Sequence, residues 1–171
     1  MINRINIYSH QDFNEKMYRL GIDRFNVENE KDKAFISIVG TPEIMKTYLK
    51  RDNNPIWFPN NTHNVLNLQF DDINTDSCIY KEYKFFGITE EQAKQCVEFI
   101  EKNKGKNFYI HCRQGKSRSQ GVGKYILETY GNEYGYYENI SFRKENPCIK
   151  PNTRVIELLK KEYIKLKIDD I

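Results

Sequence analysis

Residues 107–119 read NFYIHCRQGKSRS and pass from a short apolar run into a polar loop. The apolar residues at 107–110 are typical of a buried strand, and a helix with Val122 and Ile126 on one face is predicted from about Arg118. A loop between the end of a strand and the start of a helix brings backbone N–H groups together, and such a loop can bind an anion. This stretch therefore predicts an anion-binding loop in an α/β fold.

The loop residues have the chemistry that a phosphate ester requires. Gly115 permits the tight or left-handed backbone with which a loop surrounds phosphate oxygens, and Arg118 can bind two of those oxygens through its guanidinium. Cys112 lies at the base of this loop, where positive polarity favours the thiolate, a good nucleophile. The predicted phosphate-binding residues are Arg113, Gln114, Gly115, Lys116, Ser117 and Arg118.

A nucleotide-binding P-loop is excluded at this position. Gly115, Lys116 and Ser117 match the end of that motif, but the motif also requires a glycine five positions before Gly115. Ile110 stands there.

The rest of the chain alternates between strand and helix patterns. Strands are predicted at residues 33–39, where an apolar run ends at Gly40, and at residues 65–70, where apolar and polar residues alternate. Helices are predicted after Pro42, after Thr89 in a capping box with Gln92, and after Asn152. We expect one α/β domain over residues 1–171, with a central, largely parallel sheet flanked by helices.

Composition narrows the class of protein. The chain has 171 residues, of which 39% are hydrophobic and 13% aromatic, enough to build a core without disulfides or metals. A net charge of +3 is too small for the basic footprint of a nucleic-acid-binding protein, so no nucleic acid is expected as a partner. The sequence has no apolar run of about 20 residues, and its first residues lack the apolar segment of a signal peptide.

Cysteine and histidine usage points to a reduced protein without a metal or cofactor. The four cysteines have no CxxC spacing, and His10 and His63 lack the spacing of metal ligands. We therefore expect a cytoplasmic protein with free thiols. Cys78 and Cys96 are candidate resolving thiols for an oxidised Cys112, although the helical pattern places Cys96 in the core.

The loop resembles the His-Cys-x5-Arg-Ser/Thr signature of the protein tyrosine phosphatase superfamily, in its compact dual-specificity form. The resemblance implies that Cys112 is the nucleophile and that Arg118 holds the phosphoryl group. It also implies that the Ser119 hydroxyl hydrogen-bonds the thiolate, and that His111 holds the loop and favours the thiolate without acting as a general base.

Such a phosphatase also needs a general acid to protonate the leaving oxygen. Asp71 and Asp72 directly follow the strand predicted at residues 65–70. Asp72 continues the side of the strand that carries Leu68 and Phe70, and it falls where the acid of the superfamily would align. Asp72 is therefore favoured, with Asp71 as a competitor that register alone does not exclude.

The resemblance covers residues 65–165, whereas residues 1–60 have no recognisable motif. It implies that Asn152 helps to position the loop, and a simple helix N-cap is an equally good interpretation of the same residue.

The sequence predicts a metal-independent phosphomonoester hydrolase that acts through a phosphocysteine intermediate, with a phosphorylated protein or peptide as its substrate and partner. Two alternatives stay open. Arg113 and Lys116 add cations that would suit an inositol phosphate or a phosphoinositide. The second alternative is a catalytically inactive module that binds phosphorylated partners.

Overall fold

The computed structural model describes residues 4–46, 58–130 and 149–169. In chain order, its elements are β1 (Arg4–Tyr8), α1 (His10–Leu20), a 3-10 turn (Val27–Asn29), β2 (Lys33–Val39), α2 (Pro42–Lys46), β3 (Val65–Gln69), β4 (Ser77–Tyr80), β5 (Tyr83–Phe86), α3 (Glu90–Lys102), β6 (Asn107–His111), α4 (Arg118–Tyr130) and α5 (Thr153–Asp169).

The central sheet has four parallel strands in the order β1-β6-β2-β3. His111, the last residue of β6, lies level with Tyr8 of β1 on one side and with Ser37 of β2 on the other. All four strands therefore end at the same edge of the sheet, which is where α/β folds place their ligands. The expected fold, a single α/β domain with a parallel sheet, is confirmed.

Helices cover both faces of the sheet because side chains along each strand alternate between the faces. In β6, Phe108 and Ile110 point into a core shared with α3, α4 and α5, whereas Tyr109 points to the opposite face. That second face is covered by α1, through Phe13 and Met17.

Local signals account for several boundaries. The Thr89 hydroxyl accepts a hydrogen bond from the Gln92 N–H at 3.2 Å, and the Gln92 side chain returns one to the Thr89 N–H at 3.1 Å, so the predicted capping box forms. The helix that it starts ends at Lys102, somewhat before the position near Gly105 that the sequence predicts. Asn103 closes the helix, because its side chain donates to the Phe99 carbonyl at 2.9 Å.

Two features have no counterpart in the sequence-based expectation. Strand β1 and helix α1 build one side of the sheet from the segment without a recognisable motif. Strands β4 and β5 form a separate antiparallel hairpin. No helix in the described ranges is both long and apolar enough to cross a bilayer.

Candidate active site

A cavity of about 550 Å³ opens at the edge where the parallel strands end. The loop that follows β6 contributes Arg113, Gln114 and Arg118 to its wall, and the segment after β3 contributes Asp71 and Asp72. Helix α2, the start of α1 and the β4–β5 hairpin complete the wall. Residues from both halves of the chain therefore build one site.

The predicted anion-binding loop occupies residues 112–117, between β6 and α4. Gly115 has a φ of +68°, and a Cβ added there would lie 2.7 Å from the Ser9 nitrogen and 2.8 Å from the Tyr8 oxygen. Both are backbone atoms of the segment between β1 and α1. Glycine is thus required at position 115 for two reasons: the backbone there is left-handed, and the backbone of Tyr8 and Ser9 leaves no room for a Cβ.

The carbonyl oxygens of the loop are bound from outside it. The Arg113 carbonyl accepts from the His10 N–H at 3.2 Å, and the Lys116 carbonyl accepts from the Lys150 N–H at 3.1 Å. The Ser117 carbonyl accepts from the Asn152 N–H at 3.1 Å. In a trans peptide the next N–H points opposite to the carbonyl, so the N–H groups that follow these three carbonyls point away from the supporting residues.

Cys112 and Ser119 meet at the base of the loop. Cys112 is 3% exposed, and its Sγ lies 3.1 Å from the Ser119 Oγ. The Ser119 side chain is fully buried. A hydroxyl at this distance can donate a hydrogen bond to a thiolate.

Arg118 carries an unused donor. Its side chain is buried, and Nη1 donates to the Phe70 carbonyl at 2.8 Å. The Nε of Arg118 has no hydrogen-bond partner among the described residues. Buried guanidinium N–H groups are normally satisfied, so this atom is a donor available to a ligand anion.

The two aspartates after β3 differ in their surroundings. Asp71 is buried, and its carboxylate accepts hydrogen bonds from the Thr41 N–H, the Thr41 hydroxyl and the Phe86 N–H, each at 2.9 Å. Asp72 is exposed, and its Oδ1 accepts from the Ser117 hydroxyl at 2.7 Å and from the Asn152 amide at 2.9 Å. Asp71 thus connects three backbone segments, whereas Asp72 is joined to the anion-binding loop.

Asn152 combines both interpretations of the sequence. Its Oδ1 accepts from the Val155 N–H at 3.0 Å, which makes it the N-cap of α5. Its backbone N–H supports the Ser117 carbonyl, and its side-chain amide donates to Asp72. The helix cap therefore also holds the loop.

His111 is fully buried beneath the loop, with its Nε2 2.7 Å from the Ser37 hydroxyl. Burial lowers the pKa of His111 to about 3, and the neighbouring His10 and Arg118 act in the same direction. The imidazole is therefore neutral at neutral pH. It can hold the loop, and it brings no positive charge to Cys112.

The other basic and cysteine residues named from the sequence differ in whether they lie at the cavity. Arg113 lines the cavity, whereas Lys116 lies outside its described wall. Cys78 also lines the cavity. Cys96 is buried in the core, and burial raises the pKa of its thiol to about 12, so it is not suited to resolve an oxidised Cys112.

Sequence reasoning missed several residues of the site. Ser37 carries no motif, and only its register opposite His111 reveals its role. His10, for which the sequence indicates only that it lacks the spacing of a metal ligand, lines the cavity. The apolar part of the wall, which includes Ile44, Tyr80 and Phe85, comes from short elements with weak sequence signals.

The sequence matches no protein-family model, and it matches no curated protein. Among solved structures, the chain is similar to the human tyrosine phosphatase-like serine/threonine/tyrosine-interacting protein. The identity is 21%, the TM-score is 0.40, and the match covers 82% of this chain and 83% of that chain.

Proposed function

We propose that this protein is a cysteine-dependent phosphomonoester hydrolase of the protein tyrosine or dual-specificity phosphatase type. One observation carries the proposal: Cys112 at the start of the loop meets Ser119 at the start of α4, the adjacent Arg118 has an unsatisfied Nε, and three carbonyl oxygens of the loop are bound by residues outside it. The guanidinium of Arg118 and the backbone N–H groups of the loop suit the negative charge of a phosphoryl group.

In the first step, the Cys112 thiolate attacks phosphorus, a sulfur–phosphorus bond forms, and the bond to the leaving oxygen breaks. Asp72 gives its proton to that oxygen, so an alcohol or phenol leaves. The loop N–H groups and Arg118 stabilise the negative charge of the transferring phosphoryl group.

In the second step, Asp72 accepts a proton from water as the water oxygen attacks phosphorus. The sulfur–phosphorus bond breaks, inorganic phosphate forms, and Cys112 returns as the thiolate. The Ser119 hydroxyl, 3.1 Å from the sulfur, supports its departure through a hydrogen bond. Neither step requires a metal. The need for a reduced thiol supports a cytoplasmic setting.

The environment of the two aspartates supports Asp72 as the acid. Asp71 already accepts three hydrogen bonds from Thr41 and Phe86 and is buried. Asp72 lies at the cavity, exposed, and retains an oxygen that no described group binds.

The cavity favours a phosphoryl group on an apolar carrier. Ile44, Met45, Tyr80 and Phe85 also line the cavity, and a phenol ring of phosphotyrosine would pack against such apolar side chains. An inositol phosphate would place hydroxyls and further phosphates there. The single observation in favour of that alternative is Arg113, which also lines the cavity.

The decisive experiment is hydrolysis of p-nitrophenyl phosphate with reductant and EDTA present. Wild type should turn over and be inhibited by vanadate, and Cys112→Ser should lose activity. Cys78→Ser is the matched control, because it makes the same change in a cysteine that lines the cavity but lies outside the anion-binding loop. A requirement for a divalent metal, or full activity in Cys112→Ser, would refute the mechanism.

Substrate class is tested with a phosphotyrosine peptide and an inositol polyphosphate. If the peptide is the substrate, Arg113→Ala and Lys116→Ala should change its turnover only slightly. A selective loss on the inositol polyphosphate in Arg113→Ala would favour the alternative. Peptide binding to a folded, reduced wild type without any turnover would instead identify a phospho-binding module.

A further inference from the structure

We propose that Ser117 is a positioning residue for the general acid, and that it assigns different roles to the two oxygens of Asp72. This inference rests on the proposed function. The Ser117 hydroxyl donates to Asp72 Oδ1 at 2.7 Å, and the Asn152 amide donates to the same oxygen at 2.9 Å. Ser117 thus acts through Asp72 in addition to its place in the phosphate-binding loop.

The Asn152 amide is oriented by its other contact, and the Ser117 backbone is held in place. An amide NH₂ can only donate, and the Asn152 Oδ1 already accepts from the Val155 N–H at 3.0 Å, which prevents the amide from flipping. The Ser117 backbone is held on two sides, because its carbonyl accepts from the N–H of Gly121 at 2.8 Å and from that of Asn152 at 3.1 Å.

Two donors on one oxygen determine where the acidic proton lies. A proton on Oδ1 would compete with the Asn152 amide, which can only donate, and would require the Ser117 hydroxyl to turn from donor to acceptor. The proton of the acid form therefore sits on Oδ2. No group in the described parts of the chain forms a hydrogen bond with that atom. Oδ2 is the atom that protonates the leaving oxygen in the first step and accepts a proton from water in the second.

The same contact places the acid relative to the phosphoryl group. Asp72 is exposed and follows the end of a strand, so without restraints its side chain would sample several rotamers. Arg118 binds the Phe70 carbonyl at 2.8 Å, and Ser117 binds the Asp72 carboxylate. Two adjacent residues, Ser117 and Arg118, therefore hold residues 70–72 at two points. The residues proposed to bind phosphate thus also position the proposed acid, Asp72.

The test separates substrates by how much their leaving group needs a proton. Ser117→Ala removes the hydroxyl but keeps both main-chain bonds of the Ser117 carbonyl. With phenyl phosphate, whose leaving group requires protonation, we expect kcat/KM, which reports the first step alone, to fall about 10- to 100-fold, part of the contribution of a general acid. With 2,4-dinitrophenyl phosphate, whose leaving group departs as the anion, we expect kcat/KM to change by less than about threefold. Ser117→Thr, which retains a hydroxyl, should restore the rate on phenyl phosphate.

Thr41→Val is the matched control. It also removes a hydroxyl that donates to a neighbouring carboxylate, at 2.9 Å, but that carboxylate belongs to Asp71. Any loss in this variant should be equal on the two substrates, because Asp71 takes no part in the proton transfer.

A double-variant cycle completes the test. In an Asp72→Asn background, Ser117→Ala should cause no further loss on phenyl phosphate, since the group that it positions no longer transfers a proton. Equal losses on both substrates, or additive losses in the cycle, would overturn the assignment while leaving the phosphatase proposal intact. A wild type inactive on both substrates would refute the proposed function, and this inference with it.

Discussion

Gly115→Ala and Gly21→Ala form a matched pair that tests whether β1 shapes the anion-binding loop. The two glycines have nearly the same backbone conformation, with φ of +68° at Gly115 and +65° at Gly21. They differ in the space around the added methyl group. Nothing lies within 4 Å of a Cβ at Gly21, whereas a Cβ at Gly115 would lie 2.7 Å from backbone atoms of Tyr8 and Ser9.

The magnitudes follow from that difference. Both variants force alanine into the left-handed region, at a cost of about 1–2 kcal/mol in the free energy of unfolding. Gly115→Ala adds an overpacking cost of about 1–3 kcal/mol, because the clashing atoms are backbone and cannot move as a side chain would. We therefore expect a total loss of about 2–5 kcal/mol at Gly115.

Urea unfolding measures the stability difference. With a slope of about 2 kcal/mol per molar for a domain of this size, the midpoint should fall by about 0.5–1 M in Gly21→Ala and by about 1–2.5 M in Gly115→Ala. Phosphatase activity is the second readout. Because the clash displaces the loop, phosphatase activity should fall about 100-fold in Gly115→Ala. Gly21→Ala, at the C-terminal end of α1, should retain full activity. Equal midpoint shifts together with equal activities would show that β1 does not constrain the loop.

Three further predictions concern individual side chains of the site. Asp72→Asn should lower kcat about 100-fold or more without loss of stability, whereas Asp71→Asn should lower the free energy of unfolding by about 1–3 kcal/mol, as seen in urea; the reverse pattern would exchange their roles. Arg118→Lys should lower kcat/KM about 100-fold or more in steady-state assays, because an ammonium lacks the planar pair of donors with which a guanidinium binds two phosphate oxygens, and a loss below tenfold would contradict this. In the folded protein the pKa of His111 is about 3, whereas in the unfolded chain it is about 6.5, so unfolding between these pH values takes up a proton. The free energy of unfolding should therefore fall by about 1.4 kcal/mol for each pH unit below 6. The difference between the urea midpoints at pH 7.5 and pH 5 should be smaller in His111→Gln than in wild type. An unchanged difference in His111→Gln, or a smaller difference in the control His63→Gln, whose side chain is exposed, would contradict the assignment.

Strong local patterns made much of the fold predictable. The apolar run at residues 33–39 coincides with β2, and the capping box at Thr89 starts α3 as expected. These elements carry their signals within a few residues, through alternation, β-branched side chains or a cap. The loop after β6 was predictable for the same reason, because its cysteine, glycine and arginine lie within one short stretch.

Elements whose signals are weak or misleading were missed. Strand β1 contains Asn6, a polar residue that is nevertheless fully buried and donates to the Phe108 carbonyl at 2.9 Å. The β4–β5 hairpin turns at Lys81, which has a φ of +54° although it is not glycine. Its strands are mostly exposed, so they lack the alternation that marks a buried strand. Neither element could be recognised from local sequence alone.

The assignment of the acid shows where sequence reasoning stops. Asp71 and Asp72 are adjacent and lie beyond the last residue of β3, so strand periodicity no longer fixes where either side chain points. Long-range contacts give them different surroundings: Thr41 binds the first, and Ser117 and Asn152 bind the second. Those partners are separated from the aspartates by 30 to 80 positions in the chain.

The site therefore depends on more than its signature residues. Three segments remote in sequence bind the loop: the start of α1 through the Arg113 carbonyl, the end of β3 through Arg118, and the start of α5 through the Ser117 carbonyl. Each contact uses a main-chain atom on one side, so each constrains the loop whatever side chain stands at that position. A chain could thus retain its cysteine and arginine and still lose the phosphate geometry if the segment around Ser9 moved by an ångström. For this reason we expect the proposed chemistry to depend on the N-terminal segment, which has no recognisable motif, as well as on the loop itself.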